Sequence, residues 1–465
     1  MTDRSCVCTE MRTDEVLSVR AAALAVPERT AVIAADESGA RLAISYADLA
    51  RRVTERTAGL ERPAAGRPFF LTADANLEGV ITVLALLESK IPAVLFSPKL
   101  TDAEKAGLRA DADKTAEPLP ADTAFVVYTS GTTGRPKPAV LTRRSLAAGA
   151  LAVAKALYMS VDDVFQLSLS PARVGGLGIL LRVLAVRATL ALAPRFSGDA
   201  FPEILERDGV TLASLVPAML ADVFEKHPDW REPKGLRALL IGGAPMSDSL
   251  RVEAARRRIP IVTTYGMTET GSSSGLSRWE DRFSPESKGE MPLEGVTYRL
   301  EDGEIVLSGP MLFAGYWGQS PVTEGGRFKT GDAGLLHTDG SVTVLARQSD
   351  LIITGGEKVV PSEVERALEA IPGVSEALVL GMPDAKWGEI VTALLVPKAP
   401  FDETHPPLTA EALARRLSLT LARWKAPRRL AWVKTLPLTA EGKRSRRPEV
   451  LENRRYAVLH YAHSA

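Results

Sequence analysis

The sequence predicts an α/β protein: a large N-terminal region of layered α/β units joined to a small β subdomain, then a small α+β unit at the C-terminus. Three observations point there. Short apolar runs alternate with helical patterns through about residue 265, the signature of βαβ units around a parallel sheet. After residue 290 the texture changes to short strands parted by turn residues. From about residue 350 a smaller alternation of helix and strand begins.

The elements follow in order. Residues 15–60 read as a helix, a short strand pair containing AVIAA (31–35), and a second helix opening in ISYADLARRV with Ser45 near its cap. Residues 68–97 give FFLTA, the helical LEGVITVLALLESK and AVLFS, a complete βαβ unit. The alternation continues with TLALA, a helix over 201–208, TLASLVP, a helix over 217–227, RALLIGG, a helix over 247–257 and IPIVTTYG. Layered folds of this kind place ligands at the carboxyl ends of their strands. VTYRLEDGEIVLSGP and GRFKTGDAGLLHTDGSVTVLAR supply short strands, with Asp339-Gly340 as a hairpin turn. Beyond residue 350, a helix from Pro361 to Ala370 presents Val364, Leu368 and Ile371 on one face, and ALVLG and VTALLVP read as strands. Leu413, Leu417, Leu421 and Trp424 stripe a second helix and are expected in the core. The last 20 or so residues are basic and then mixed, and are expected to be mobile.

Composition narrows the function. At roughly 100–200 residues per domain, a chain of 465 residues holds two to four domains. Lys plus Arg and Asp plus Glu are 57 each, so the net charge is zero and nothing calls for a nucleic-acid or anionic-membrane partner. The two cysteines, Cys6 and Cys8, lie in a polar tail, which excludes a disulfide-stapled secreted fold and fits a reducing, cytoplasmic setting. The start has no apolar core of the signal-peptide kind. The longest apolar stretch, 175–193, is broken by Arg182 and Arg187 and reads as buried structure, not a membrane span.

The most informative segment is YTSGTTGRPK at 128–137, entered directly from the apolar strand AFVVY. Its glycines let backbone N–H groups face an anion, its hydroxyls add donors, and Lys137 adds charge. It lacks the Walker spacing. This loop resembles the nucleotide-binding loop of the adenylate-forming enzymes, the group that holds acyl-CoA synthetases, luciferases and peptide-synthetase adenylation domains. The remaining motifs of that family follow in order: IGGAP at 241–245, TTYGMTET at 263–270, FKTGDAG at 328–334, ARQSDLIITGGEKVVPSEVE at 346–365 and LPLTAEGKRSR at 436–446.

The resemblance implies a large N-terminal AMP- and acyl-binding domain over 1–346 and a mobile C-terminal lid over 347–465. It implies two half-reactions: a carboxylate attacks the α-phosphorus of ATP to give an acyl-adenylate and pyrophosphate, and a thiol, CoA, then displaces AMP. Thr129, Ser130, Gly131, Thr132, Thr133, Gly134 and Lys137 would cradle the β- and γ-phosphates. Gly243 and Ala244 would allow close approach to the base, and Tyr265, followed by Gly266, would stack on adenine. Thr268 would contact the α-phosphate and Glu269 would help hold Mg²⁺, a hard ion that prefers oxygen. Asp332 would accept the ribose hydroxyls, with Arg347 adding a contact. Ser349 and Asp350 would form the hinge, and Gly355 and Gly356 would line a narrow pantetheine tunnel. Lys443 would reach the bridging oxygen between acyl group and phosphate. The partners implied are ATP, CoA and a small carboxylic acid; homo-oligomerisation stays open.

Longer stretches, including RFSGDAFPEILERDGVTLASLVPAML and RQSDLIITGGEKVVPSEVE with DAKWGE, resemble the o-succinylbenzoate–CoA ligase branch of the family. The chain departs from the family pattern twice. Pro138 stands where glycine usually follows the loop lysine, removing an N–H donor there and allowing slower turnover. Arg173 stands where histidine is usual, with Ala172 where an aromatic is usual, ahead of Gly175 and Gly176. Arg173 is the expected contact for an acidic part of the substrate. Two alternatives stay open: an adenylating enzyme that loads a separate carrier protein, and a catalytically weak nucleotide-binding relative, for which Pro138 is the only support.

Overall fold

The computed structural model describes residues 13–35, 40–129, 136–193, 195–320, 323–400, 407–438, 444–446, 448–451, 454 and 456–459. The chain divides into two compact units. The first takes the described residues up to Arg299, with Val306–Lys329 and His337–Val342. The second takes Leu300–Ile305, Thr330–Leu336 and the described residues from Thr343 on, so the division is not a single cut in the sequence.

The first unit holds two sheets. Nine strands lie side by side in the order Met291–Pro292, Gly275–Leu276, Ile261–Tyr265, Ala238–Ile241, Leu212–Leu215, Val164–Leu167, Thr189–Leu192, Thr30–Ala35 and Arg41–Ser45. The six strands from Ile261–Tyr265 to Thr30–Ala35 run parallel. The remaining outer strands are antiparallel. The central strands Leu212–Leu215 and Ala238–Ile241 are buried along their whole length, as parallel strands covered on both faces must be. The smaller sheet runs Phe69–Thr72, Ala93–Phe96 and Thr123–Tyr128 in parallel, with Pro138–Thr142 antiparallel at its edge. The expected βα alternation is present except where Thr123–Tyr128 is followed by Pro138–Thr142 with no described helix between them.

Local chemistry sets the helix starts. The Ser45 hydroxyl accepts from the Asp48 N–H at 3.1 Å, which opens the helix Tyr46–Ala58. Asn76 does the same for Leu77–Glu88, and Thr101 with Glu104 forms a reciprocal capping box for Asp102–Lys114. The helix Val174–Val186 is buried on nearly every face, so the apolar stretch is interior structure. No described helix is long and apolar enough to cross a membrane. The segment after residue 290 forms short strands, including Thr297–Glu301, Glu304–Ser308, Arg327–Leu336 and Val342–Arg347.

The second unit carries a six-stranded sheet. Its order is Glu357–Val359, Ile352–Thr354, Gly388–Pro397, Arg429–Trp432 and Ala457–Val458, with Val374–Asp384 also paired to Gly388–Pro397. Helices Pro361–Glu369 and Ala410–Leu417 bury Val364, Leu368, Leu413 and Leu417 in one core with Val379, Val391 and Leu395. Two expectations need correction. The second helix stops at Leu417, where the Ser418 hydroxyl donates to the Arg415 carbonyl at 2.8 Å and competes with the helical ladder. Leu421 still reaches the core from the following turn, but Trp424 is exposed. Among the described C-terminal residues, expected to be mobile, Ala457–Val458 pairs with Arg429 and Leu430, and Leu459 is buried in the core.

Candidate active site

In the first unit, strands Ala238–Ile241 and Ile261–Tyr265 are parallel neighbours, so both end at the same edge of the sheet. Gly243 follows the first at φ +79°, exposed, and half-buried Ala244 comes next. Tyr265 ends the second and is buried, its ring 6.1 Å from that of Tyr298. A Cβ on Gly266 would lie 1.8 Å from the Ser272 carbonyl oxygen, so only glycine lets the chain fold back there. The 3₁₀ turn Thr268–Thr270 follows and buries Glu269. The Tyr316 hydroxyl donates to Glu269 Oε1 at 2.5 Å.

Tyr316 also faces Lys137. The Lys137 ammonium stands 5.2 Å from the centre of its ring, a cation–π distance. The Thr129 N–H donates to the Lys137 carbonyl at 2.9 Å, which closes the loop at its base. Ser130, Gly131, Thr132, Thr133 and Gly134 lie outside the described residues, as does Lys443.

Pro138 begins the strand Pro138–Thr142, and its carbonyl accepts from the Trp317 N–H at 2.9 Å. Ala139 and Tyr316 form an antiparallel bridge next to it. In such a ladder the N–H and C=O of one residue face the same neighbour. An N–H at position 138 would therefore point at the 313–317 segment. The proline costs a sheet bond there.

The helix Val174–Val186 supplies the third feature. Arg173 is its N-cap, with no side-chain cap bond. A Cβ on Gly176 would lie 2.4 Å from the carbonyl oxygens of Leu169 and Ser170, whereas Gly175 has ordinary room. Two turns further on, Arg182 is buried, and its Nη2 donates to the hydroxyls of Ser272 and Ser273 at 2.8 and 3.3 Å. Ser272 is held at φ +147°, a backbone conformation that costs a non-glycine residue energy. Arg182 has no carboxylate partner among the described residues, and burial alone pulls its guanidinium down to about 10. It remains a cation at neutral pH. It lines a narrow pocket with Leu146, Gly149, Ala150, Gly178 and Ser272. A Cβ on Gly178 would come within 3.0 Å of Ser272 and 3.1 Å of the guanidinium, so the small residues make the space.

In the second unit, Asp332 is buried and paired with Arg347, Nε to Oδ1 at 2.9 Å. Arg347 Nη1 also donates to the Thr330 carbonyl at 2.9 Å, and the Thr330 hydroxyl accepts from the Asp332 N–H at 3.1 Å. Ser349 and Asp350 lie in the 3₁₀ turn Gln348–Asp350, where the Ser349 hydroxyl donates to Asp350 at 3.2 Å. Gly355 and Gly356, at φ +59° and +87°, form the hairpin turn between Ile352–Thr354 and Glu357–Val359. A Cβ on Gly355 would stand 2.9 Å from the Trp387 ring.

Residues 103–317 match the AMP-binding enzyme family, and residues 363–443 match the AMP-binding enzyme C-terminal domain. A 2-succinylbenzoate–CoA ligase from Bacillus cereus is 33% identical over 336 residues, 69% of this chain and 68% of the relative. The chain belongs to the AMP-binding enzyme family. Among solved structures, o-succinylbenzoate CoA synthetase from Bacillus subtilis, in complex with the acyl-adenylate intermediate OSB-AMP, superposes with a TM-score of 0.78 at 29% identity; the match covers 92% of this chain and 96% of that one. The same enzyme in complex with ATP and magnesium ion gives 0.78 at 29%, covering 92% and 98%. ATP-bound MatB from Rhodopseudomonas palustris gives 0.77 at 25%, covering 93% and 97%.

For this family member, the structure brings Lys137 and Glu269 together through Tyr316, and Asp332 together with Arg347. Sequence reasoning missed Arg182, Tyr316 and Thr330. Arg182 left a signal: a lone cation inside GGLGILLRVLAV has to be buried with some partner. Tyr316 left none, since the bridge to Ala139 and the backbone bonds beside it that carry it to the site join residues far apart in the chain.

Proposed function

We propose that this protein is an AMP-forming acid–CoA ligase that activates o-succinylbenzoate in the cytoplasm. The likeness to 2-succinylbenzoate–CoA ligase carries the choice of acid, and Arg182, a buried cation without a carboxylate partner among the described residues, is the candidate contact for its second carboxylate. Burying a charge unpaired is expensive. The arrangement makes sense if the substrate brings the missing anion, and o-succinylbenzoate has a second carboxylate to offer. Arg173 at the start of the same helix is the second candidate contact. The names of the relatives support the same acid and CoA as the thiol.

In this reading Thr129, Lys137 and the loop 130–134 hold the β- and γ-phosphates, and Thr268 steadies the α-phosphate. Gly243, Ala244, Tyr265 and Gly266 receive the adenine, and Asp332, oriented by Arg347 and Thr330, takes the ribose hydroxyls. Among the described residues no three acidic, His or Cys groups cluster as a metal cage. Glu269 alone fits Mg²⁺, which is commonly held by one or two carboxylates together with substrate phosphates. Bound Mg²⁺ would neutralise charge on the leaving pyrophosphate. Residues 347–465 act as the lid, turning at Ser349 and Asp350. In one position the lid delivers Lys443 to the acyl–phosphate oxygen, and in the other Gly355 and Gly356 line the path of the thiol.

The test is AMP release by the purified protein with ATP, Mg²⁺ and o-succinylbenzoate, with and without CoA, beside a panel of benzoates, phenylpropenoates and fatty acids. CoA-dependent AMP release confined to o-succinylbenzoate is the expected result. Activity on another acid only would overturn the substrate. Pyrophosphate release with no CoA turnover would move the thiol to a carrier protein.

A further inference from the structure

The geometry points to Tyr316 as a positioning residue that ties the phosphate loop to the metal-holding carboxylate. This rests on reading Glu269 as the Mg²⁺ contact. Tyr316 stands at the meeting point of two separate parts of the first unit. Its backbone bridges Ala139, two residues beyond Lys137, and the flanking bonds Val140 N–H to Gly315 carbonyl and Trp317 N–H to Pro138 carbonyl, both 2.9 Å, complete the ladder. On its other side the Phe313 N–H donates to the Glu269 carbonyl at 2.9 Å. The segment 313–317 is thus stapled to the strand that leaves the phosphate loop and to the turn that carries the acidic residue. Phe313 packs edge-on against the Tyr316 ring at 5.0 Å and limits its rotation.

The side chain then acts at both ends. Its hydroxyl donates to Glu269 Oε1, which fixes the plane of the carboxylate and leaves Oε2 to be aimed at a cation. Its ring face meets the Lys137 ammonium, which places that charge without neutralising it as a carboxylate partner would. A hydrogen-bond partner of a metal-holding side chain typically tunes metal affinity by roughly 10–100-fold. A cation–π contact at a partly exposed site is worth about 0.5–1 kcal/mol, or two- to fivefold in affinity.

The two roles separate experimentally. ATP binding to the full chain is measured by calorimetry, with no acid present, once in Mg²⁺ and once in EDTA. The ratio of the two affinities is the gain that magnesium supplies. Tyr316→Phe keeps the ring and should lower that gain roughly tenfold while leaving binding in EDTA unchanged. Tyr316→Leu should also weaken binding in EDTA by about two- to fivefold. Unfolding temperatures of both variants check the fold. A Tyr316→Phe protein with the wild-type magnesium gain would overturn the proposal, as would equal losses with and without magnesium. Glu269→Gln is the control: if it too keeps the full gain, it is the metal reading of Glu269 that fails.

Discussion

Arg182 and Arg187 lie five residues apart on one buried helical segment, and the molecule treats them in opposite ways. Arg187 ends the helix at φ +61°, and its guanidinium donates to the carbonyls of Glu15, Val16 and Leu184. A cation at a helix C-terminus is also favoured by the helix dipole. Its charge is met by structure, and it fastens the N-terminal residues to the core. Arg182 sits mid-helix, reaches two serine hydroxyls and no carboxylate among the described residues, and faces a narrow pocket. Burial of a charge does not by itself mark function. What distinguishes the two is whether the protein supplies the partners.

Replacing each by methionine makes the comparison testable. Arg182→Met should cost about 3 kcal/mol of binding to the acid in the transition state, roughly 150-fold in kcat/KM for o-succinylbenzoate, with KM for ATP little changed. The same change should raise the unfolding temperature, because apolar replacements of buried charges are often stabilising. Arg187→Met should do the reverse: about 1–3 kcal/mol of stability lost through orphaned carbonyls, with kcat of the folded fraction kept. Steady-state kinetics and denaturant titration of both variants decide it. If Arg182→Met destabilises and spares the acid, its role is structural and the two arginines are alike.

Glu290 sharpens the point with the opposite charge. Burial pushes its carboxyl up, while the hydrogen bond from Thr263, at 2.9 Å, and the charge of Arg251 pull it partly back. The folded protein then holds a proton that the unfolded chain has released, so stability falls as pH rises from the usual carboxylate range through the raised value. Glu290→Gln can still accept from Thr263 and should remove that fall, leaving the variant more stable at neutral pH by on the order of 1 kcal/mol. Urea titrations at a series of pH values would show it; identical slopes for the two proteins would mean that Glu290 is ionised in the fold.

Much of this was legible in the residues. Periodicity located the strands and helices of 68–97 and of 189–265, because buried parallel strands read as continuous apolar runs; the elements Asp102–Lys114, Arg143–Ala156 and Val164–Leu167 were not read from it. The motifs singled out Glu269, Asp332 and Lys137 because each belongs to a short run of neighbouring residues and needs no distant contact to be noticed. Trp424 was misplaced because side-chain hydroxyls end the helix early, which a stripe of leucines does not reveal. The pairing of Ala457–Val458 with Arg429 and Leu430 depends on a contact across nearly 30 residues, and local charge says nothing about that. Tyr316 was out of reach for the same reason: Glu269 and Lys137 lie some 47 and 179 positions away from it in the chain.

Pro138 carries the smallest expected effect and the most pointed one. From the sequence it stood as a lost phosphate donor and the sole ground for a weak enzyme. In the ladder its nitrogen faces the 313–317 segment, where the Trp317 N–H already donates to the Pro138 carbonyl. Pro138→Ala would add one N–H to that ladder, a gain of about 1 kcal/mol, and would release the unfolded chain, a loss of about 0.4–1 kcal/mol. The two nearly cancel. Stability should move by less than about 0.5 kcal/mol and kcat by less than about twofold. A tenfold rise in kcat would instead mean that the missing N–H belongs to the phosphate site, and that the strand beginning at 138 opens when nucleotide binds.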